Sequence, residues 1–157
     1  MRIAILTISD AGARGERVDT SGDAIASWAG ERLVARAIVP DDVVSIVQRL
    51  VAWCDHDEAD LVLTTGGTGL APRDVTPEAT LSVVERNAPG IAERIRWITG
   101  QSFPRAALGR AVAGIRARSL IVNLPGSTSG VKESLLALDP IIDHAVKILR
   151  GEHTDHS

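Results

Sequence analysis

At 157 residues the chain has the length of one domain, which buries roughly 70% of its unfolded surface and needs no disulfide or structural metal. Its net charge of −3 lacks the basic surplus of a nucleic-acid binder, and its single cysteine excludes an internal disulfide. No apolar run approaches bilayer length, and the apolar start at Met1–Ile8 is too short for a signal peptide, so a soluble, cytoplasmic protein is expected.

The first run, Ile3 to Ile8, reads as a buried strand, followed by a polar loop from Ser9 to Ser21. Helical spacing returns over Gly22 to Val34, and a short strand, Ala35 to Val39, ends at Pro40. Asp41 or Asp42 can then cap a helix carrying Val44, Val47, Leu50 and Val51. Leu61 to Leu63 is a further strand. The pair Thr76-Pro77 predicts a helix start, with a hydroxyl cap before a proline in the first turn. Another helix is expected over Gly90 to Ile98, then strands at Ala111–Ile115 and Leu120–Val122. The last helix runs to about Leu149 and stops at Gly151, with a kink or break at Pro140. Residues 1–151 form one domain in this reading, and 152–157 a flexible tail.

Strands alternating with helices predict an α/β fold: a single domain, mostly parallel sheet with helices on both faces, plus an antiparallel element near residues 111–122. Scarce aromatics (three Trp, one Phe, no Tyr) leave the core to Val, Ile, Leu and Ala, which suits a helix-covered sheet. Ligands of such folds bind beyond the carboxyl ends of the strands, and each unusual loop falls at such an end.

The central loop runs Thr64-Thr65-Gly66-Gly67-Thr68-Gly69-Leu70-Ala71-Pro72-Arg73-Asp74-Val75-Thr76-Pro77. Its glycines free consecutive amides to converge on an anion, Thr65 and Thr68 add hydroxyls, and Arg73 can make a bidentate phosphate contact. It lacks the Gly-Lys-Ser/Thr ending of a P-loop, and a plain glycine turn fits the same letters. Asp74 beside a phosphate cradle calls for a cation, and Mg²⁺ shared between carboxylates and substrate phosphates would supply it, with Asp41 completing the site. The alternatives are an Asx-type turn or an ion pair with Arg73 for Asp74, and a helix cap for Asp41. A second loop, Leu124-Pro125-Gly126-Ser127-Thr128-Ser129-Gly130, repeats the strand–small-residue–helix pattern, with Lys132 one turn on as a phosphate contact or a solvated lysine.

Taken together, Thr65-Gly66-Gly67-Thr68-Gly69 and Arg73-Asp74-Val75-Thr76-Pro77-Glu78-Ala79-Thr80 resemble the MogA/MoaB family and the matching domain of gephyrin. Leu6-Thr7-Ile8-Ser9-Asp10, Asp19-Thr20-Ser21-Gly22 and Asn123-Leu124-Pro125-Gly126-Ser127 follow in that family's order, so the resemblance spans nearly the whole chain. It implies a molybdopterin-binding fold, a homotrimer, and Mg²⁺-dependent transfer of AMP from ATP to the terminal phosphate of molybdopterin in molybdenum cofactor biosynthesis. The product would pass to a molybdate-insertion enzyme. The resemblance further implies that Asp74 and Asp41 are the catalytic and metal-holding acids, with Asp42 as the neighbouring candidate for the second. Substrate contacts would fall on Ser9, Asp10, Ser21, Thr65, Gly66, Gly67, Thr68, Gly69, Arg73, Thr76, Pro125, Gly126, Ser127 and Lys132. The segment Ala71–Thr76 is closer to the adenylyltransferase type, whereas Gly114 and Pro125–Thr128 also resemble MoaB-type sequences, for which the alternative is a pterin carrier without nucleotidyl transfer.

Overall fold

Three strands of the computed structural model, which describes residues 1–152, are buried at every position: β1 (Ile3–Ile8), β3 (Leu61–Thr65) and β6 (Ser119–Leu124). A strand covered on both faces shows no polar alternation, which is why these read as continuous apolar runs. The outer strand β2 (Leu33–Val39) alternates instead between half-buried and exposed residues. The six-stranded sheet has the order β2-β1-β3-β6-β5-β4. Parallel pairing joins β2, β1, β3 and β6, while β5 (Ala113–Arg116) and the two-residue β4 (Arg86–Asn87) close one side antiparallel. This is the single-domain α/β architecture expected from the alternating pattern.

Side-chain alternation within each strand divides the core in two. Ile3, Ile5, Leu61, Leu63, Leu120 and Val122 face α2 (Thr20–Ala29), α5 (Pro89–Gly100) and α6 (Thr128–Arg150). Ala4, Leu6, Ile8, Val62 and Ile121 face α3 (Val43–Asp55) and α4 (Thr76–Val83). Register aligns Thr7 with Thr65 and Thr65 with Leu124, so the parallel strands deliver their following loops at one level.

Several boundaries depart from the expectations. A four-residue helix, α1 (Asp10–Ala13), interrupts the expected Ser9–Ser21 loop, because the Ser9 hydroxyl accepts from the Gly12 amide at 3.0 Å. Asp19 caps α2 by accepting from the Gly22 amide, so that helix begins at Thr20 rather than Gly22. It ends at Ala29, where Gly30 takes a positive φ of 57°, and Leu33 and Val34 join β2 instead of continuing the helix. Asp42, not Asp41, caps α3, accepting from the Ser45 amide at 2.7 Å. Val75 holds the cap position of α4 without a side-chain bond, so the hydroxyl cap expected at Thr76 is not formed. Ala111 and Val112 precede β5 rather than belonging to it. Pro140 does not break α6: the carbonyl its ring leaves unbonded belongs to Leu136, whose side chain is 69% exposed, so that face meets water. Of the expected tail, residues 153–157 lie outside the described residues. Among the described residues no helix is long and apolar enough to cross a membrane.

Candidate active site

The loop after β3 is built on a tight double-glycine turn. Gly66 and Gly67 have φ of 99° and 68°, conformations that L side chains rarely adopt. A Cβ on Gly66 would strike the Ile8 carbonyl oxygen, and one on Gly67 the Thr76 hydroxyl. That hydroxyl donates to the Gly66 carbonyl at 2.9 Å, and the Thr76 amide donates to the Gly67 carbonyl at 3.1 Å. The Thr65 hydroxyl likewise donates to the Pro125 carbonyl at 2.7 Å, while Gly126 lies close against the Gly66 Cα. Main chain therefore packs on main chain where the β1, β3 and β6 loops meet. Thr65 and Thr76 are fully buried, and both hydroxyl protons are committed to this joint.

Asp41 and Asp74 share one arrangement. Each uses Oδ2 to accept a backbone amide, from Asp10 at 2.9 Å and from Ala71 at 3.0 Å respectively, and among the described residues each Oδ1 is without a hydrogen-bond partner. The Asx-type turn of Asp74 with Thr76 is not formed: the Thr76 amide donates to the Gly67 carbonyl, and Asp74 accepts instead from the Ala71 amide three positions earlier. Arg73 does not pair with its neighbour Asp74. Its guanidinium instead forks onto Asp10, Nε to Oδ2 at 2.7 Å and Nη2 to Oδ1 at 2.9 Å, and reaches the Asp41 carbonyl at 3.2 Å.

Charge is unevenly compensated across this group. Burial pushes the Asp41 carboxyl above its ordinary value, and the charges of Asp10 and Asp74 push the same way against the Asp10 amide and Arg73. The Arg73 hydrogen bonds, then the Asp41 amide, hold Asp10 below its ordinary value. Asp42 is also held low by the Ser45 amide and hydroxyl, as a helix cap should be.

Two clefts open on this end of the sheet. The first, about 540 Å³, has a largely apolar far wall that includes Ile95, Thr99, Phe103 and Leu108. The second, about 390 Å³, is lined by Thr7, Ser9, Arg17, Ser21, Asp41 and Gly66 among others. Gly67, Asp74, Gly126 and Ser127 belong to both and form the wall between them. Thr68, Gly69 and Pro125 face the first cleft; Thr65 faces the second.

Asp10, Arg73, Thr76 and Lys132 line neither cleft. Lys132 is exposed, because Val131, Ser134 and Leu135 take the buried stripe of α6. Sequence reasoning missed Arg110, which clamps the central loop: its side chain donates to the Gly69 carbonyl at 2.8 Å and the Asp74 carbonyl at 2.6 Å, and pairs with Glu78. It carries no local signal, since its partners lie at least 32 positions away. Asn123 did have one, as an amide in an apolar strand; it donates to the Thr64 and Thr80 hydroxyls, both at 3.0 Å.

Residues 4–144 match the family described as "Probable molybdopterin binding domain". The chain belongs to this family. Molybdopterin adenylyltransferase from Helicobacter pylori is 40% identical, with 98% of this chain and 90% of that protein aligned. The Escherichia coli protein of the same name is 41% identical over 86% of this chain and 72% of its own length. Among solved structures, the molybdopterin biosynthesis enzyme MoaB from Thermus thermophilus superposes with a TM-score of 0.90 at 47% identity, covering 96% of this chain and 97% of that one. Among the described residues of this chain no group of three or more His, Cys, Asp or Glu is arranged to hold a metal ion.

Proposed function

We propose that this chain is a molybdopterin adenylyltransferase, acting in molybdenum cofactor biosynthesis by moving AMP from ATP to the terminal phosphate of molybdopterin. The observation that carries the reading is the shared wall: two clefts of different polarity meet at Asp74 and Gly67. A two-substrate transfer needs such a boundary, and the names of the relatives aligned over most of the chain support the same chemistry. A pterin carrier would use one cleft and leave the other without purpose.

In the reaction a pterin phosphate oxygen attacks the α-phosphorus of ATP. The bond to the oxygen bridging the α- and β-phosphates breaks, and pyrophosphate leaves. The nucleophile is already anionic near neutral pH, so positioning and charge compensation, rather than proton abstraction, supply the rate enhancement. The Gly66–Gly69 turn, Ser9, Ser21 and Ser127 line the two clefts; the Gly66 amide is spent on the Leu124 carbonyl at 3.3 Å, which leaves the later amides of the turn for a phosphate.

The donor set fits Mg²⁺. Asp41 and Asp74 each keep one oxygen uncommitted, their charges oppose one another, and Mg²⁺ takes one or two carboxylates together with phosphates. When held there it would offset the negative charge that develops on the phosphates during transfer. The same reading makes the chain a cytoplasmic homotrimer that passes adenylyl-molybdopterin to a molybdate-insertion enzyme.

Calorimetry with ATP and Mg²⁺, followed by assay of pyrophosphate release on adding molybdopterin, tests the activity. Binding of both ligands with pyrophosphate release is expected. Pterin binding without ATP binding would leave the carrier reading, and sedimentation at monomer mass would remove the trimer.

A further inference from the structure

Asp10, part of the Leu6–Asp10 stretch, lines neither of the two clefts. Both of its carboxylate oxygens are engaged within the protein. Oδ1 accepts from the Asp41 amide at 3.0 Å and from Arg73 Nη2 at 2.9 Å, and Oδ2 accepts from Arg73 Nε at 2.7 Å. Its own amide donates back to Asp41 Oδ2 at 2.9 Å. Asp10 and Asp41 thus close a reciprocal ring, each carboxylate accepting the other's backbone N–H across 31 positions of chain.

We infer that Asp10 is a positioning residue that touches neither substrate: it fixes the Asp41 carboxylate through this ring and anchors Arg73 as a strap between the loops after β1, β2 and β3. The inference rests on the adenylyl-transfer reading for its functional consequence, though not for its geometry. With Oδ2 of Asp41 held by the ring, Oδ1 is left toward the Gly67 turn, 3.1 Å from where a Cβ on Gly67 would stand. Arg73 reaches over from the loop that carries Asp74, and its contact with the Asp41 carbonyl ties the two acid-bearing segments together. An acid that must meet charge within a fraction of an ångström benefits from such support, because small misplacements at a reacting centre are costly. The expectation that Asp10 and Arg73 contact substrate is replaced by one in which Asp10 satisfies Arg73 and both act through Asp41.

The test compares Asp10→Ala, Asp10→Asn, Asp41→Asn and the double variant Asp10→Ala/Asp41→Asn. In steady-state AMP transfer, Asp10→Ala is expected to lower kcat by roughly 10- to 100-fold while leaving KM for ATP and for molybdopterin within about twofold. Asp10→Asn retains an oxygen for the Asp41 amide and should recover part of the loss. The double variant should be no slower than Asp41→Asn alone, since a residue acting through Asp41 has nothing further to lose. A rise in either KM with unchanged kcat, or fully additive losses, would overturn the inference in favour of direct substrate contact. Urea unfolding of the same four proteins reads the coupling without any activity: the gain in midpoint that Asp41→Asn brings to the wild type should be lost or much reduced in the Asp10→Ala background, where the opposing charge and the ring are already gone. Additive midpoint shifts sink the inference even where the wild type transfers no AMP, and that latter result alone would instead sink the adenylyl-transfer reading.

Discussion

The two ends of the sheet use the same residue types to opposite effect. At the amino ends of the strands, Asp60 accepts from the Arg2 amide at 2.6 Å and the Arg2 guanidinium at 2.9 Å, and Arg150 reaches Asp57 at 2.6 Å. Arginine hydrogen bonds, led by Arg150, push the Asp57 carboxyl down to about 2. Asp60 is held low by Arg2 in spite of its burial. At the carboxyl ends, Arg73 forks onto Asp10, and burial, with the charges of Asp10 and Asp74, leaves Asp41 raised. Charge at one end closes the fold, and charge at the other is held in readiness for a ligand.

The sharpest break in that contrast is Asp74→Asn. AMP transfer should fall by roughly two to three orders of magnitude, typical of removing a preorganised charge-positioning group, while thermal melting stays nearly unchanged. Asp60→Ala should do the reverse, lowering unfolding free energy by about 2 kcal/mol through loss of a mostly buried, charge-assisted set of hydrogen bonds, with kcat retained in the folded protein.

Acid titration separates the ends by sign. Asp57 has a depressed folded-state value, so its stabilisation is present above the ordinary carboxylate range and is lost as pH falls through about 2. Asp41 is raised, so its effect runs the other way: the folded state favours its neutral form, and its ionisation weakens the fold as pH rises through the raised value. Urea midpoints should therefore fall from about pH 4 to about pH 2 in the wild type and fall less steeply in Asp57→Asn. The smallest change in stability is expected for Asp41→Asn, which should raise the melting temperature by about 1–2 °C while lowering transfer to a slow but measurable rate, because a charge kept for function is removed.

How much could be read from the letters follows from the range of each interaction. β1, β3 and β6 were legible because strands covered on both faces are continuous apolar runs, and the glycine loops at their ends were legible because only glycine permits the Gly66–Gly67 turn. The helix at Asp10–Ala13 and the short β4 were not, since a four-residue helix and a two-residue strand are decided by what they pack against. Arg73 illustrates the limit. Its neighbour Asp74 is one candidate partner by sequence, yet its guanidinium finds Asp10, 63 positions away. The choice between Asp41 and Asp42 as helix cap also waited on geometry, and settling it freed Asp41 for the cleft.

Two of the four residues between the clefts, Gly67 and Gly126, are glycines that bring only main chain to the partition. A boundary shared by both clefts and half made of glycine offers few side chains to exchange, so neither compartment can be resized from that side without disturbing the other. Altered preference for donor or acceptor would have to arise at the remote surfaces, around Ile95, Thr99 and Phe103 for one compartment and Thr7, Val18 and Ser21 for the other. A redesign confined to either remote surface should therefore change what is bound while leaving the point of transfer in place.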